Sequence, residues 1–117
     1  MAWLLRDGDV LASLEVAATR ADRRRGLLGR DGIEGALLLR PARSVHTIGM
    51  RFPLDVAWCD RDLVVLRTAR LGRHRLSRPV LRAHAVLEAE AGTFARWQLA
   101  VGDQLELRDE HPHEAPA

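Results

Sequence analysis

Ser44-Val-His-Thr-Ile-Gly-Met-Arg-Phe-Pro-Leu-Asp-Val-Ala-Trp-Cys-Asp60 decides how this chain is read. Two β-type runs, residues 44–50 and 52–59, meet at a corner made by Met50, Arg51 and Pro53. In the second run Phe52, Leu54, Val56 and Trp58 alternate with Asp55, Ala57 and Cys59. A period of two is the mark of a strand whose two faces meet different surroundings. His46, Thr47 and Asp55 stand among apolar neighbours, so a site is expected near this corner.

Upstream, Asp7-Gly8-Asp9 separates two short apolar runs, 3–6 and 10–17, which reads as a β-hairpin. Val10, Ala12, Leu14 and Val16 face one way, Ser13 and Glu15 the other. At Thr19 the period changes. Thr19 and Asp22 have the spacing of a capping box, good helix formers follow, and Gly29 is a stop, so one short helix is expected near residues 20–29. The run 36–39 is a buried strand limited by Pro41. Downstream, Asp60-Arg61-Asp62 turns the chain into a further strand over 63–71, and 72–79 is a loop. In 80–89, Leu81, Ala83, Ala85 and Leu87 alternate with Arg82, His84, Val86 and Glu88. A helical turn over 93–97 and a last strand over 104–107 complete the pattern.

Seven or eight short strands with short connections predict a mainly β fold, a compact antiparallel β-sandwich or partly closed barrel, jelly-roll-like, with one short helix. Its core is expected to include Leu14, Val16, Leu38, Val45, Leu54, Val56, Trp58, Val65, Leu87 and Leu105. Residues 1–108 form a single domain; 109–117, with two prolines and no core residue, read as a mobile tail.

The 117 residues are 47% apolar, enough for one core and too apolar for a disordered chain. No apolar run is long enough to span a bilayer, and the first residues lack the basic and apolar regions of a secretory signal. Cys59 is alone, which excludes an internal disulfide and a cysteine-based metal cluster. A cytoplasmic protein is the expectation. All 18 basic residues are arginine, which points to compositional bias in the source genome. Charge is uneven: residues 20–51 carry +5 and 52–87 carry +4, between acidic ends of −2 and −5.

Asp55 interrupts an apolar strand, where a bare carboxylate would cost several kcal/mol unless paired or hydrogen-bonded. Two roles meet that need: a general base or ligand contact, or a structural acceptor for backbone N–H groups or an arginine. Arg51 or Arg30 is the expected counter-charge, and a shallow polar depression is expected beside the small Ala57 and Cys59. His46 is either an acid–base group or an ordinary strand residue. His46, His84 and Asp55 have the right ligand types for a metal but no short ligand spacing, so no metal and no cofactor are expected. Cys59 lacks the surroundings of a nucleophile. The arginines at 67, 70, 73, 75, 78 and 82 lie in a stretch, 63–87, free of acids. Five aromatics are too few for a base-stacking platform, and no DNA- or RNA-binding signature accompanies them, so nucleic acid is not the expected partner.

Gly26-Leu27-Leu28-Gly29-Arg30, Val45-His46-Thr47-Ile48-Gly49-Met50, Phe52-Pro53-Leu54-Asp55-Val56-Ala57, Val86-Leu87-Glu88-Ala89, Gly92 and Gly102-Asp103 occur in order. Together they resemble the bacterial and archaeal domain-of-unknown-function family 192, over roughly residues 17–107. The resemblance implies a compact mainly β domain and no established activity. Many relatives carry a Phe-Trp pair and a Lys-Asn around the methionine, where this chain has Thr47-Ile48-Gly49 and Arg51. Many also carry an export signal, which this chain is read as lacking.

The function expected from these readings is a non-enzymatic binding or accessory domain that contacts a small anionic ligand or a protein partner through its basic side. The expected ligand-binding residues are Asp55, His46, Thr47, Met50, Arg51 and Arg30. The alternative is a small enzyme using Asp55 and His46 as acid and base.

Overall fold

The computed structural model describes residues 2–109. Seven strands form one sheet: β1 (Ala2–Arg6), β2 (Asp9–Ala17), β3 (Ala36–Leu39), β4 (Leu54–Cys59), β5 (Val65–Leu71), β6 (Ala85–Glu90) and β7 (Leu105–Arg108). Their order across the sheet is β5-β4-β6-β3-β2-β1-β7. Two short helices, α1 (Arg20–Arg25) and α2 (Thr93–Trp97), join it.

Local chemistry accounts for the connections. Asp7 and Gly8 both take positive φ, 53° and 83°, the geometry of the tight turn that matches strand twist in the β1–β2 hairpin. Asp60 turns β4 into β5 by accepting from the N–H groups of Asp62 and Val64, both at 2.9 Å. Thr19 caps α1 by accepting from Asp22 N–H at 3.1 Å. The helix stops at Gly26, three residues before the expected Gly29, because Leu27 turns down onto the sheet, buried at 2% exposure. The chain between β2 and β3 contains α1, long enough to bring the two strands parallel. That pair is the exception to an otherwise antiparallel sheet.

The sheet curls until its two edges touch. At the starts of β5 and β7, Val65 N–H donates to Asp103 O, Gly102 N–H to Val65 O and Leu105 N–H to Leu63 O, at 2.8, 2.8 and 2.9 Å. This seam satisfies edge groups that would otherwise pair with another chain, and it makes the fold a partly closed barrel rather than two packed sheets.

The central strands β3, β4 and β6 are buried on both faces. The concave face holds Leu4, Leu14, Leu38, Ala57, Cys59, Val65, Leu87 and Leu105, with Phe94 of α2 packed among them. Phe94 stacks on Trp97 with ring centroids 5.7 Å apart. The convex face of β3, β4 and β6 carries Leu37, Leu39, Leu54, Val56, Trp58 and Val86. Leu27, Ile33, Met50, Phe52 and Ala83, from the connecting segments, cover it. Eight of the ten expected core residues are buried; Val16 and Val45 are half-buried beside the two clusters.

One expected strand is not a strand, and another begins late. Residues 44–50 contribute only an isolated bridge, His46 to Leu76. The segment is tied to the 72–77 loop instead of to the sheet, because Thr47 and Val45 spend their backbone groups on Arg75, His74 and Ser77. Similarly, 80–84 folds as a turn, with Ala83 N–H donating to Val80 O at 2.9 Å, before β6 begins at Ala85. The expected tail lies, from residue 110 on, outside the described residues.

Candidate functional site

Where α1 ends, the chain and the 44–50 segment together roof a short stretch of β6. Between them is a pocket of about 70 Å3 lined by Arg23, Arg24, Arg25, Gly26, Leu27, Leu28, Leu39, Ser44, Val45, His46, Met50 and Glu88. Gly26 has φ 47°, and a Cβ there would stand 3.9 Å from Glu88 Oε1. A water occupies about 30 Å3 of liquid, so the space suits one small polar group rather than a whole ligand. Three arginines stand at its edge. Arg23 donates to Ala18 O, whereas Arg24 and Arg25 are exposed and have no side-chain partner among the described residues.

Glu88 is the unusual floor. It is 3% exposed, and its neighbours across the sheet are Leu37 and Val56, members of the convex core. Its carboxyl has no hydrogen-bond partner among the described residues, although every fully enclosed side-chain nitrogen or oxygen there is satisfied. The Glu88 oxygens therefore reach the open space of the pocket. Glu90, two residues along the same face, shows the ordinary solution: its Oε1 accepts Ile33 N–H at 2.9 Å, and Gly32 lies so close that a Cβ would come within 2.2 Å of that oxygen.

Burial pushes the Glu88 carboxyl up from 4.5 to about 7. The folded state thus holds this proton more tightly than the unfolded chain does, so stability declines as pH rises from the ordinary carboxyl range through about 7. The full decline is about 3 kcal/mol. Glu88→Gln, neutral throughout, should remove that slope and raise stability at pH 8 by about 2–3 kcal/mol. Urea melts of both proteins at pH 5 and pH 8 measure it; parallel pH profiles would rule the assignment out.

Of the residues expected at a site, the pocket brings together His46, exposed at its mouth, and Met50, buried in its wall. The others lie elsewhere. Asp55 is on the opposite, concave face of the sheet, 5% exposed, and lines no described cavity. Its Oδ2 accepts from Gly92 N–H at 2.9 Å and Phe94 N–H at 3.0 Å, and Oδ1 accepts from Arg70 Nε at 3.2 Å. Its counter-charge is thus Arg70, its cross-strand partner on β5, and not Arg51 or Arg30. Arg51 pairs with Asp31 and Arg30 with Glu15. The expected depression beside Ala57 and Cys59 is filled by the concave core, Phe94 included. Thr47 is fully buried and holds the 72–75 loop: its hydroxyl donates to Gly72 O at 2.6 Å and accepts from Arg75 N–H at 2.8 Å.

His84 lies beside Arg43 and Asp60, away from His46, and no group of three metal-ligating side chains occurs among the described residues. Cys59 is enclosed on the concave face, and burial, then the charge of Asp60, pushes its thiol up to about 12. It should give no reaction with a disulfide reagent in the native protein and one equivalent in denaturant; a fast native reaction would contradict this packing. A groove of about 600 Å3 runs along the barrel seam past Asp7, Arg40, Arg61, Asp62 and Glu106. It is an open surface of mixed charge. Glu88 was visible in the sequence as an acid embedded in a strand, but nothing there distinguished it from the satisfied Asp55.

The fold and its pocket define a class: a single-sheet, partly closed β-barrel with a small roofed cavity on its convex face. The chain belongs to the domain-of-unknown-function family 192, described as "Uncharacterized ACR", whose profile matches residues 3–107. No curated protein matches it. Among solved structures it is similar to a protein of unknown function from Novosphingobium aromaticivorans DSM 12444, with TM-score 0.74, 22% identity and coverage of 90% of this chain and 82% of the other. It is equally similar to a candidate transcription regulator from Sinorhizobium meliloti 1021, with TM-score 0.74, 22% identity and 90% of each chain covered. At that identity the likeness is one of fold. No helix among the described residues is long and apolar enough to cross a membrane.

Proposed function

We propose that this chain is a non-catalytic binding module that takes the polar head of a small anionic molecule in the pocket between α1, the 44–50 segment and β6. The observation that supports it is Glu88, a buried carboxyl at the floor of a cavity and without a hydrogen-bond partner among the described residues. Such a group lowers stability and is tolerated where a ligand completes it. Arg24 and Arg25 at the mouth supply the attraction for negative charge. The acid–base alternative loses its geometry, since the sheet stands between Asp55 and His46. The lone, enclosed Cys59 fits a module that works in a reducing cytoplasm.

A thermal-shift screen of small carboxylates and phosphate esters tests the reading. Hits should lose at least tenfold in affinity in a double Arg24→Ala, Arg25→Ala variant; hits indifferent to that change would place the ligand elsewhere.

A second contact, toward protein, is favoured by Ile48, Leu76 and Leu81, which are 57%, 75% and 78% exposed. In the sequence they lie among Arg73, Arg75, Arg78 and Arg82, so the partner surface that would match is acidic with apolar side chains. An acidic leucine-bearing peptide should bind the protein and fail to bind the Leu76→Ser, Leu81→Ser variant. Equal binding would end this second reading.

A further inference from the structure

Resting on the pocket reading above, we infer that the site takes a carboxylate head together with one proton, and that this proton sits on Glu88 so that the side chain donates a hydrogen bond to the ligand. Three observations lead there. The cavity has room for a group of a few heavy atoms, about 70 Å3, with Glu88 at its floor. The floor offers no other polar side chain: the strand neighbours of Glu88 on β3 and β4 are Leu37 and Val56. The mouth is cationic, with Arg23, Arg24 and Arg25 on α1.

An ionised Glu88 would welcome a cationic or N–H-bearing head, but that ligand would have to settle beside three arginines. A carboxylate suits the arginines and repels an ionised Glu88. One proton removes the conflict, because a neutral carboxyl is a donor and a carboxylate is an acceptor. The resulting O–H···O⁻ hydrogen bond is charge-assisted and lies in a place of low dielectric. A neutral carboxylic acid serving as a donor at physiological pH is known chemistry for an apolar site. Burial already favours the neutral form here. The proton comes from solvent, and no covalent bond forms or breaks.

The groups facing Glu88 are few, so the linkage is readable. They are Arg23, Arg24 and Arg25 from α1, His46 from the 44–50 segment and Glu90 from β6 itself, the last already bonded to Ile33 N–H. β3 and β4 present only apolar side chains. Since binding and protonation favour each other reciprocally, a carboxylate should raise the proton affinity of Glu88, and a rise in pH should weaken carboxylate binding.

The experiment uses the intact chain, isotope-labelled, with acetate, methylphosphonate and methylguanidinium as probes followed by nuclear magnetic resonance at pH 6 and pH 8.5. Acetate should shift the amides of Gly26, Leu27, Val45 and His46, with affinity falling about tenfold per pH unit above the Glu88 titration. It should also move the directly observed titration of the Glu88 carboxyl carbon upward. Glu88→Gln, whose amide is a permanent donor, should bind acetate with no such pH dependence. His46→Gln should keep the dependence, which separates Glu88 from the ring at the mouth.

Four other outcomes are informative. Methylguanidinium binding at the same amides, tighter at high pH, would overturn the proton-coupled carboxylate and leave the pocket reading standing. Methylphosphonate binding in place of acetate would overturn the carboxylate and likewise leave the pocket. A pH dependence lost in His46→Gln and kept in Glu88→Gln would overturn the role of Glu88. No probe shifting these amides at either pH would overturn both readings.

Discussion

Trp58→Ala should cost about 3–5 kcal/mol, the range for removing a core aromatic, and lower the melting temperature by on the order of 10–25 °C. Trp58 is 2% exposed in the convex cluster, where β4 runs between β5 and β6. Its indole has three separate attachments. The ring packs among apolar side chains; Nε1 donates to Arg43 O at 3.0 Å; and the Arg67 guanidinium lies over the ring, 5.7 Å from its centroid. Alanine would leave a cavity that the sheet cannot close and would remove one of the two donors to the Arg43 carbonyl, which keeps Val80 N–H at 2.9 Å. Trp58→Phe keeps most of the packing and loses only the N–H, so it should cost less, about 1–2 kcal/mol. Circular dichroism melts of the two variants measure this; a Trp58→Ala protein that melts with the wild type would mean the convex face is not a core.

Asp55→Ala should cost about 2–6 kcal/mol, because two N–H groups are left without an acceptor at about 1–3 kcal/mol each. Both belong to the start of α2: Gly92 N–H and Phe94 N–H. α2 has five residues and its N-cap, Gly92, has no capping side chain of its own. Asp55 performs the capping from another element, and in doing so holds Phe94 in the concave core. The Arg70 pair adds little, since that guanidinium is 60% exposed and screened by water. The expected variant therefore loses stability and local order around residues 92–97, while carboxylate binding at the Glu88 pocket, measured below its melting point, stays within a few-fold. If Asp55→Ala melts normally but abolishes ligand binding, Asp55 belongs to a site after all.

These two residues show how far pattern reading reaches. Trp58 was legible because alternation along 52–59 is a local property: successive side chains of a strand point to opposite faces whatever the strand later pairs with. The same logic placed Leu14 and Leu87 inside, whereas Leu38 was read from a continuous apolar run, the pattern of a strand buried on both faces. Asp55 was legible only as an anomaly. That it needs partners follows from the energetics of a buried charge, but its partners come from residues 15, 37 and 39 positions away along the chain. Nothing local names them. The same limit explains 44–50, whose composition suits a strand. An extended segment becomes a strand only when a neighbour offers a ladder of backbone groups, and here the neighbour is the 72–77 loop, which offers a single bridge.

By itself the sequence determined the number of strands to within one, the hairpin at Asp7-Gly8, the cap at Thr19 and the family, because turns, caps and periods are set by residues a few positions apart; the helix stop, expected at Gly29, falls at Gly26. Only the tertiary structure decided that the sheet closes at one seam, that β2 and β3 run parallel, and that both faces of β4 are covered. It also decided which of two strand-embedded acids is satisfied. Asp55 finds two N–H groups and an arginine on the concave face, whereas Glu88 finds only Leu37, Val56 and an open cavity on the convex one. The physical reason is that a carboxylate's fate depends on which donors lie within about 3 Å of it, and folding brings those donors from distant parts of the chain.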